Sequence, residues 1–561
     1  DHAPASIRRT LDVVRQLDLG DGETKEDVTI VLWKVGAISG TVLDENGDPL
    51  VAAPVHLTAV SDIWIGRLST PSDNGTTDDR GVFRFEVTPG DYIVSVGTSF
   101  TTMPSAFVDD YWQKQSSTNP PNFRTTVEAL SSAGIQMPGQ MGLHVGDLTV
   151  MPSSFGGGLP MWMAGEGGPL YVYPRTYYSS ASLFDAATVV SVKSGEERAG
   201  IDFQLRPQAT CRVSGRVIGP NGPVPNVGVH LTGADWNRTS SPVPPPLDAP
   251  RSVTDASGAF VFFGVVPGQY TVDVLTSPPI ERQVSTLSVS SAAGGAGAIG
   301  DVSGPVAPPS MDPTLWAAQP LTVGSVNVAD VRVTLSAGGR ITGHFEFVPA
   351  AAVPPADRIR QILVTLRALP GTTSARLAVM TPGSAVDDAG AFRTAQIVPG
   401  QYILNASAPP GWFFRSAMVN GKDMADTPID IDGSGLSDVV VTFTNQPTVV
   451  SGSVTVDETG VVAGAPPRAL TVIVFPTDQN FWPKYAFSPR RLRTAGVSST
   501  LAYRIAGLPA GEYFVAASAS HIDFTDPKVL DFLSRTATRV MLVEGETRAQ
   551  NVRAVAIPDV R

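Results

Sequence analysis

The chain of 561 residues contains 54 Gly and 48 Pro, has a formal net charge of −12, and only 16% of its residues are charged. An acidic balance of this size repels a phosphate backbone, which argues against nucleic acid as a partner. The sequence holds no run of 18 apolar residues, so no membrane-spanning segment is expected. Abundant Gly and Pro with little helical periodicity predict a turn-rich all-β protein, and the length suits four or five domains.

The first 36 residues contain a candidate helix, Ser6 to Leu17, and a closing hairpin, LDLGDGETKEDVTIVL, which ends at Leu32. The same kind of hairpin ends every later repeat, but here no opening strand precedes it. We therefore expect residues 1–36 to be the C-terminal strands of a preceding repeat or an N-terminal segment, with a further repeat upstream in the gene product.

Four opening strands of similar sequence follow. They read ISGTVLDENGDPL at Ile38, VSGRVIGPNGPVP at Val213, ITGHFEFVPAAAV at Ile341 and VSGSVTVDETGVV at Val450. Self-similarity within one chain indicates that one supersecondary unit is stacked several times. The predicted units are residues 37–206, 207–336, 337–445 and 446–561.

A Gly turn follows in the first three repeats, as TDDRG at Thr77 and TDASG at Thr254, and leads into a strand that contains Phe. In the first repeat Phe83 and Phe85 alternate with charged residues, which predicts half-buried strands of antiparallel sheets. A Pro and Gly turn comes next, with Tyr two residues after the Gly. These tyrosines are expected in the core or at a corner, where each hydroxyl needs a partner: Tyr92, Tyr270, Tyr402 and Tyr513.

Each repeat closes with a Gly-centred hairpin and an alternating strand, ending at Leu205, Leu335, Phe443 and Val555. A short helix is expected before the last hairpin, from Pro527 to Arg535. Few residues separate Leu205 from Val213 or Leu335 from Ile341. Such short connections predict repeats that join end to end as a semi-rigid rod.

These motifs resemble the carboxypeptidase regulatory-like domain, a seven-stranded transthyretin-like (prealbumin-like) sandwich related to the Cna B-type repeats of Gram-positive surface proteins. The resemblance covers nearly the whole chain and depends on the SGxV, TDxxG and PGxY motifs. The fourth repeat departs from it, with Ser499 and Thr500 where the turn Gly would stand. The resemblance implies a tandem array of four transthyretin-like Greek-key β-sandwiches joined end to end. The order of motifs is most similar to secreted multi-repeat proteins of Acidobacteria-type bacteria, which implies an extracellular or cell-surface location after export.

The first repeat is lengthened by a Gly, Pro and Met-rich insert at about residues 101–169. Aromatic and Met side chains with little charge are typical of interface cores. We therefore expect a contact with another subunit, and the alternative is packing on the insert's own sandwich. The candidate contact residues are Trp112, Met141, Met161, Trp162 and Met163. Soft Cu(I) ligation by Met137, Met141 and His144 is a weaker reading, because spacing alone supports it poorly.

No catalytic, cofactor or metal site is expected. The six His form no cluster with zinc-ligand spacing, and the domain resembled is the noncatalytic companion of a zinc carboxypeptidase. Acidic turns at Asp44 and Asp430 resemble calcium loops but stand where the repeat needs a hairpin. Cys211 is alone and is expected to be a buried thiol.

Two functions fit the sequence. The first is a noncatalytic extracellular structural protein that binds copies of itself in a filament or surface layer, which the low charge and rigid junctions favour. The alternative is an adhesion or carbohydrate-binding module that holds a glycan or a cell-surface partner through its loops. Its aromatic platforms would be Tyr171, Tyr173, Tyr177, Tyr178, Trp236 and Trp482.

Overall fold

The computed structural model describes residues 34–60, 73–97, 99–115, 142–152, 159–164, 168–233, 250–276, 314–349, 353–369, 372–377, 384–455, 470–482, 490–498, 500–518 and 527–555. Strands dominate these residues, and the predicted all-β fold of tandem β-sandwiches is confirmed. The helix expected at Ser6 to Leu17 lies outside the described residues. The one expected at Pro527 is confirmed and ends at Ser534.

The elements of the first repeat and its insert are β1 (Gly36–Leu43), β2 (Pro54–Ala59), β3 (Asp73–Thr76), β4 (Val82–Val87), β5 (Gly90–Val96), β6 (Phe100–Pro104), α1 (Ser105–Gln115), β7 (Leu143–Val145), β8 (Leu148–Pro152), β9 (Trp162–Met163), β10 (Leu170–Val172), β11 (Thr176–Tyr177), β12 (Val190–Val192), β13 (Glu197–Arg198), β14 (Phe203–Gln204) and β15 (Gln208–Ala209). The second repeat contains β16 (Cys211–Gly219), β17 (Gly222–Pro223), β18 (Gly228–Gly233), β19 (Arg251–Val253), β20 (Ala259–Val265), β21 (Gly268–Thr276), β22 (Leu315–Val323), β23 (Val328–Thr334) and β24 (Ser336–Ala337).

The third repeat contains β25 (Ile341–Val348), α2 (Ala356–Ile359), β26 (Val364–Ala368), α3 (Thr373–Leu377), β27 (Ser384–Val386), β28 (Ala391–Thr394), β29 (Gly400–Ala406), β30 (Phe413–Val419), β31 (Lys422–Asp423), β32 (Ile429–Ile431) and β33 (Leu436–Thr444). The fourth contains β34 (Thr448–Thr455), β35 (Thr471–Pro476), β36 (Arg493–Gly496), β37 (Ala502–Leu508), β38 (Gly511–Ser518), α4 (Pro527–Ser534), β39 (Thr538–Leu542), β40 (Thr547–Ala549) and β41 (Val552–Val555). Short 3-10 turns lie at Phe184–Ala186 and Gln479–Phe481.

All four repeats share one pairing plan. The opening strand pairs antiparallel with the strand after the Gly turn and parallel with the closing strand, as β1 does with β4 and with β13 and β14. A second sheet joins the second strand to the tyrosine strand and then to the next strand, as in β2, β5 and β12. The later repeats pair their corresponding strands in the same way.

Each predicted repeat contains its own hydrophobic core between these two sheets. Representative buried residues are Ile38 and Leu57, then Phe260 and Phe262, then Tyr402 and Phe443, and finally Val474 and Tyr513. The alternation predicted after the first Gly turn is confirmed, with the two Phe side chains of β4 buried and the charged residues between them exposed. The repeat boundaries themselves stay predictions.

The glycine of each opening strand is required by a close approach of the backbone. A Cβ atom on Gly215 would lie 2.0 Å from the carbonyl oxygen of Val331 in the parallel closing strand. The equivalent distances are 1.9 to 2.0 Å at Gly40, Gly343 and Gly452. Since no side chain can occupy that space, the strand pairing fixes Gly in the SGxV motif.

The Thr and Asp of the TDxxG motif hold the turn through their side chains. The Thr77 hydroxyl accepts from the Ala53 N–H at 2.9 Å, and one carboxylate oxygen of Asp78 accepts from the N–H groups of Arg80 and Val82. The hydrogen bond from Val82 is the main reason that the pKa of Asp78 is lowered. Thr254 and Asp255 make equivalent bonds. The departing fourth repeat uses the Ser498 hydroxyl, which accepts from Ala502 N–H at 3.1 Å.

The tyrosines of the PGxY turns form corners, as expected. Each hydroxyl donates to the carbonyl oxygen four residues earlier, from Tyr92 at 2.7 Å, Tyr270 at 2.7 Å, Tyr402 at 2.5 Å and Tyr513 at 2.8 Å. Burial raises the pKa of Tyr513 to about 12, so its phenol remains protonated and able to donate at neutral pH.

Candidate contact surface and repeat junctions

The first-repeat insert adds its strands to a sheet of the second repeat. Strand β6 pairs in parallel with β19, where Thr101 lies beside Arg251 and Thr102 beside Ser252. Strand β8 pairs with β6, and β7 pairs with β8. The result is an eight-stranded sheet in the order β24-β22-β21-β18-β19-β6-β8-β7. The described part of the insert therefore packs on the next repeat of the same chain.

Helix α1 covers one face of this shared sheet. Val108 and Tyr111 of the helix pack with Met103 of β6, Met151 of β8 and Val253 of β19. Met103 is fully buried, so the apolar contact excludes water between the insert and the second repeat. Trp112 is partly buried against the same cluster.

A second cluster covers the other face of β6 and β8. It joins Phe100 and Val150 of the insert to Leu170, Val172 and, from the second repeat, Phe263. Met161 is partly buried against these residues. Apolar packing on both faces makes the insert a clamp between the first two repeats.

The shared face also contains buried polar side chains that the sequence reasoning did not bring together. Asp273 on β21 lies opposite His230 on β18, and His230 lies opposite Arg251 on β19. All three are buried. Arg251 is two residues from Val253, so both side chains point to the face that α1 covers. The sequence showed no cluster of His with metal-ligand spacing, and it gave no sign of these charged neighbours of His230.

Of the five candidate contact residues, the structure places three side chains. Trp112 and Met161 pack within the chain as described above, whereas Trp162 is 39% exposed. The backbone of Met163 pairs with Leu170, and Met141 lies outside the described residues. A contact between subunits through these five residues stays a prediction, and Trp162 is the described side chain most open to it.

Trp162 belongs to an aromatic group at the edge of the first repeat. Its ring stacks on Tyr171 with a centroid distance of 5.7 Å and an interplanar angle of 8°, and it meets Tyr173 edge to face. The Tyr173 hydroxyl donates to Glu45 Oε2 at 2.7 Å. Burial and this carboxylate raise the pKa of Tyr173. Stacking holds the indole flat with part of its surface in water.

The other aromatic candidates for ligand binding are less accessible. Tyr173 and Trp482 are buried, and the indole N–H of Trp482 donates to the Pro476 carbonyl at 2.8 Å. Tyr171, Tyr177 and Tyr178 are half-buried, and Trp236 lies outside the described residues.

The junction between the second and third repeats is made by backbone groups and one hydroxyl. The Thr314 carbonyl accepts from the Gly338 N–H at 2.9 Å, and its hydroxyl donates to the Gln396 carbonyl at 2.7 Å. Thr314 is buried, so water does not compete for these bonds.

The third and fourth repeats are joined by an ionic cluster around Asp426. Its carboxylate accepts from Arg490 Nε at 2.6 Å and Nη2 at 2.8 Å, and from Arg491 Nε at 2.6 Å. The side chains of Asp426 and Arg490 are only 12% and 10% exposed. Arg490 also donates to the carbonyl oxygens of Phe414 and Arg415. Arg490 thereby donates both to a carboxylate and to two backbone carbonyls of the third repeat.

Burial alone would raise the pKa of Asp426, but the hydrogen bonds and charges of Arg490 and Arg491 outweigh it. The net effect is a lowered pKa, so this carboxylate is ionised at neutral pH. A second ion pair, Arg415 Nε to Glu544 Oε1 at 2.5 Å, closes the same junction. A cleft of about 310 Å³ lies between the two repeats, next to Phe413, Arg415 and Glu544.

The acidic turns behave as hairpins. Asp44 accepts from the N–H groups of Asn46 and Asp48, and Asp432 from those of Ser434 and Gly435. Across the described ranges, no group of three or more His, Cys, Asp or Glu residues could hold a metal ion. His144 lies 3.3 Å from the Thr149 hydroxyl, and its proposed copper partners Met137 and Met141 fall outside those ranges.

Cys211 is buried, as expected, and burial raises the pKa of its thiol. Among the described helices, none is long and apolar enough to cross a membrane.

No protein-family model matches the chain, and no curated protein matches it. Solved structures to which it is similar include the TIE protein of Bacillus anthracis, at 8% identity, 90% of this chain, 67% of that chain and a TM-score of 0.15. BcpA, the major pilin subunit of Bacillus cereus, has 7% identity over 93% of this chain and 99% of that chain, with a TM-score of 0.14. Two B repeat units of the collagen-binding protein Cna of Staphylococcus aureus have 9% identity over 86% and 92%, with a TM-score of 0.14.

Proposed function

We propose that this chain is a noncatalytic structural protein of the cell exterior, a stiff rod of carboxypeptidase regulatory-like, transthyretin-like repeats that binds copies of itself in a filament or surface layer. Export from an Acidobacteria-type bacterium belongs to the same proposal. The observation that carries it is the way in which repeats are joined. A shared sheet, a buried hydroxyl and a buried ionic cluster connect successive repeats.

Rigid junctions favour a load-bearing role. A chain of sandwiches on flexible linkers would lose much orientational freedom on assembly, whereas a stiff rod has already lost it on folding. The low fraction of charged residues is also consistent with an outer surface partly covered by neighbours. In this proposal Trp162, which is exposed where Trp112 and Met161 are partly buried, contacts a neighbouring subunit.

Electron microscopy of protein isolated from its native source, together with light scattering of the recombinant chain, tests this function. We expect ordered filaments or sheets in the native sample and a mass above that of one chain in the recombinant sample. Trp162→Ser should reduce the mass, and Trp482→Phe, which replaces a buried indole in the fourth repeat, is a control for loss of an indole group away from this surface. Single rods in both preparations would refute the proposal.

The carbohydrate-binding alternative is favoured by one observation, the flat and partly exposed Trp162 ring held by Tyr171. A sugar ring could stack on such a surface, with Glu45 close enough to the aromatic group to add a polar contact. Co-sedimentation with insoluble polysaccharides would detect it. Binding that Trp162→Ala abolishes while the mass in solution stays that of one chain would favour this function over self-assembly.

A further inference from the structure

The first and last strands of each repeat lie side by side and run in the same direction. In the first repeat the opening strand β1 pairs in parallel with the closing strands β13 and β14. The later repeats pair β16 with β23, β25 with β33, and β34 with β40 and β41. We call these strands the terminal pair of a repeat. Because the pair is parallel, the chain enters it at one end and leaves it at the other.

Tension applied to the two ends of the chain would pass through the terminal pairs. The closing strand of one repeat leads within a few residues to the opening strand of the next, and only residues 445–447 separate β33 from β34. The remaining strands of a repeat lie between its opening and closing strands in sequence. They are stretched only after the terminal pair has separated.

The direction of the pull decides how strongly a strand pair resists it. Two parallel strands pulled at opposite ends slide past each other. Since the hydrogen bonds of a parallel pair are evenly spaced along it, they share the load and must break together. Two strands pulled from the same end open one bond at a time instead. Each terminal pair is therefore loaded in the more resistant of the two geometries.

Side chains bridge the terminal pair where the backbone ladder is interrupted. In the first repeat the pairing is broken between β13 and β14, and there one carboxylate oxygen of Asp202 accepts from the N–H and the hydroxyl of Thr41, both at 2.8 Å. In the fourth repeat the break lies between β40 and β41, and Asn551 Oδ1 accepts from the N–H and the hydroxyl of Ser453, both at 3.0 Å. In the third repeat residues 343–348 pair with β33 without a break. Bonds across the pair thus continue in the repeats with an interrupted ladder.

Sliding of the two strands would also withdraw side chains from the core. In the fourth repeat Val450 and Val454 of the opening strand and Val552 of the closing strand are buried in the core of that repeat. Burial of apolar side chains contributes free energy in proportion to the area removed from water. The core therefore opposes the tension together with the hydrogen bonds.

We propose that the terminal pair is the force-bearing element of each repeat, which lets the chain sustain tension along its length without unfolding. The inference deepens the structural role proposed above and rests on it, because a rod in a filament or surface layer is loaded between its ends. It assigns the load to the parallel opening and closing strands, whereas the antiparallel strands between them supply the core.

Constant-force spectroscopy of the full chain with two handle positions tests the geometry. One handle is fixed to the C-terminus. The other is fixed to an exposed side chain, either Gln446→Cys, two residues before β34, or Thr455→Cys, the last residue of β34. Only the predicted fourth repeat lies between the handles in both cases. The native Cys211 is buried and lies outside the stretched segment.

The two handles load the same terminal pair differently. From Gln446→Cys the strands are pulled at opposite ends, whereas from Thr455→Cys they are pulled from the same end, since Thr455 pairs with Arg553. Forced unfolding reports the rate of unfolding directly. At equal force we expect the repeat to open at least about tenfold faster from Thr455→Cys, because the bonds no longer share the load. Thr455→Ala pulled from Gln446→Cys controls for the lost hydroxyl and should open at nearly the rate of the chain that keeps it.

A side-chain substitution tests the same assignment without moving the handle. Asn551→Ala, pulled from Gln446→Cys, removes the acceptor that bridges the interrupted ladder and should raise the opening rate at least about threefold. Glu512→Ala is the matched control, because its carboxylate accepts from the Thr477 hydroxyl at 3.2 Å between strands outside the terminal pair. The control should leave the opening rate unchanged.

The outcomes separate the force-bearing pair from the general function. Equal opening rates from the two handles, or equal acceleration by Asn551→Ala and Glu512→Ala, would overturn the terminal pair while filaments seen by microscopy would stand. Single rods in microscopy would refute the filament and remove the load that the pair is proposed to bear. Faster opening from Thr455→Cys, together with acceleration by Asn551→Ala alone, would support the proposal.

Discussion

Replacing Asp426 by Asn tests whether the ionic cluster makes the junction between the third and fourth repeats rigid. The substitution keeps the size of the side chain and one oxygen acceptor but removes the negative charge. Arg490 and Arg491 then share a buried site in which the next carboxylate among the described residues is that of Asp423, 3.9 Å from Arg490.

The magnitude follows from the bonds at the carboxylate. Three charge-assisted hydrogen bonds reach Asp426, and such bonds contribute about 1.5–3 kcal/mol each to stability. The amide oxygen of Asn recovers part of this, and Arg490 keeps its two carbonyl acceptors. We therefore expect a loss of about 3–5 kcal/mol, the range for breaking a buried ion pair from one side. The exposed pair Asp531–Arg535 on α4 is the matched control, and Asp531→Asn should cost no more than about 0.5 kcal/mol.

Hydrogen exchange with mass spectrometry is the suitable assay, because an array of separate cores need not unfold in one step. The free energy of opening should fall in peptides that cover 413–426 and 490–513, and remain unchanged in the first two repeats. Equal exchange in Asp426→Asn and Asp531→Asn would refute the view that the buried cluster holds the junction.

Acid should have the same local effect on the wild-type protein. The folded-state pKa of Asp426 is lowered, so its contribution to stability is complete above the unfolded-state pKa of about 3.9 and is lost as the pH falls through the lower folded-state value. The difference in exchange between wild type and Asp426→Asn should therefore be constant from pH 7 down to about 5 and shrink below about 4.

Three further substitutions test the motifs and the insert, each by denaturant unfolding or hydrogen exchange of the full chain. Gly215→Ala places a Cβ 2.0 Å from the Val331 carbonyl oxygen and should destabilise the second repeat by more than about 3 kcal/mol. Gly324→Ala is its control, because a Cβ there meets open space and should change the stability by less than about 1 kcal/mol. Tyr402→Phe leaves a buried carbonyl without its donor and should cost about 1–3 kcal/mol. Met103→Ala should lower the free energy of unfolding by about 2–5 kcal/mol and raise hydrogen exchange in both the insert and the second repeat. A change confined to the insert would contradict the view that the insert stabilises the second repeat.

The repeated motifs were predictable because their causes are local. A Tyr two residues after a Pro and Gly turn can reach only nearby carbonyls, and the corner hydrogen bond spans four residues in every copy. Thr77 and Asp78 likewise act on backbone groups of their own turn and of the adjoining strand. Even the departure in the fourth repeat follows local chemistry, since the Ser498 hydroxyl replaces the missing carboxylate.

The contacts between repeats were not predictable for the converse reason. Asp426 and Arg490 are 64 residues apart, and no pattern in either stretch of sequence indicates the other. The insert was predicted to contact another subunit or its own sandwich, and in either case its composition indicated an interface core. The composition of the insert does not identify the strand with which it pairs. The parallel pairing of β6 with β19 depends on how the first and second repeats are positioned relative to each other.

The two helices of eight or more residues within the described ranges, α1 and α4, each cover the outer face of a sheet. The second sheet of each sandwich has an outer face that the core does not use, and apolar or buried groups on that face need a cover. In the fourth repeat α4 supplies the cover from within the repeat, over Phe514. In the second repeat the cover is α1, which comes from the preceding repeat and closes over Val253 beside Arg251. The second repeat therefore completes its fold with a helix from the preceding repeat, whereas the fourth repeat covers its outer face with a helix of its own.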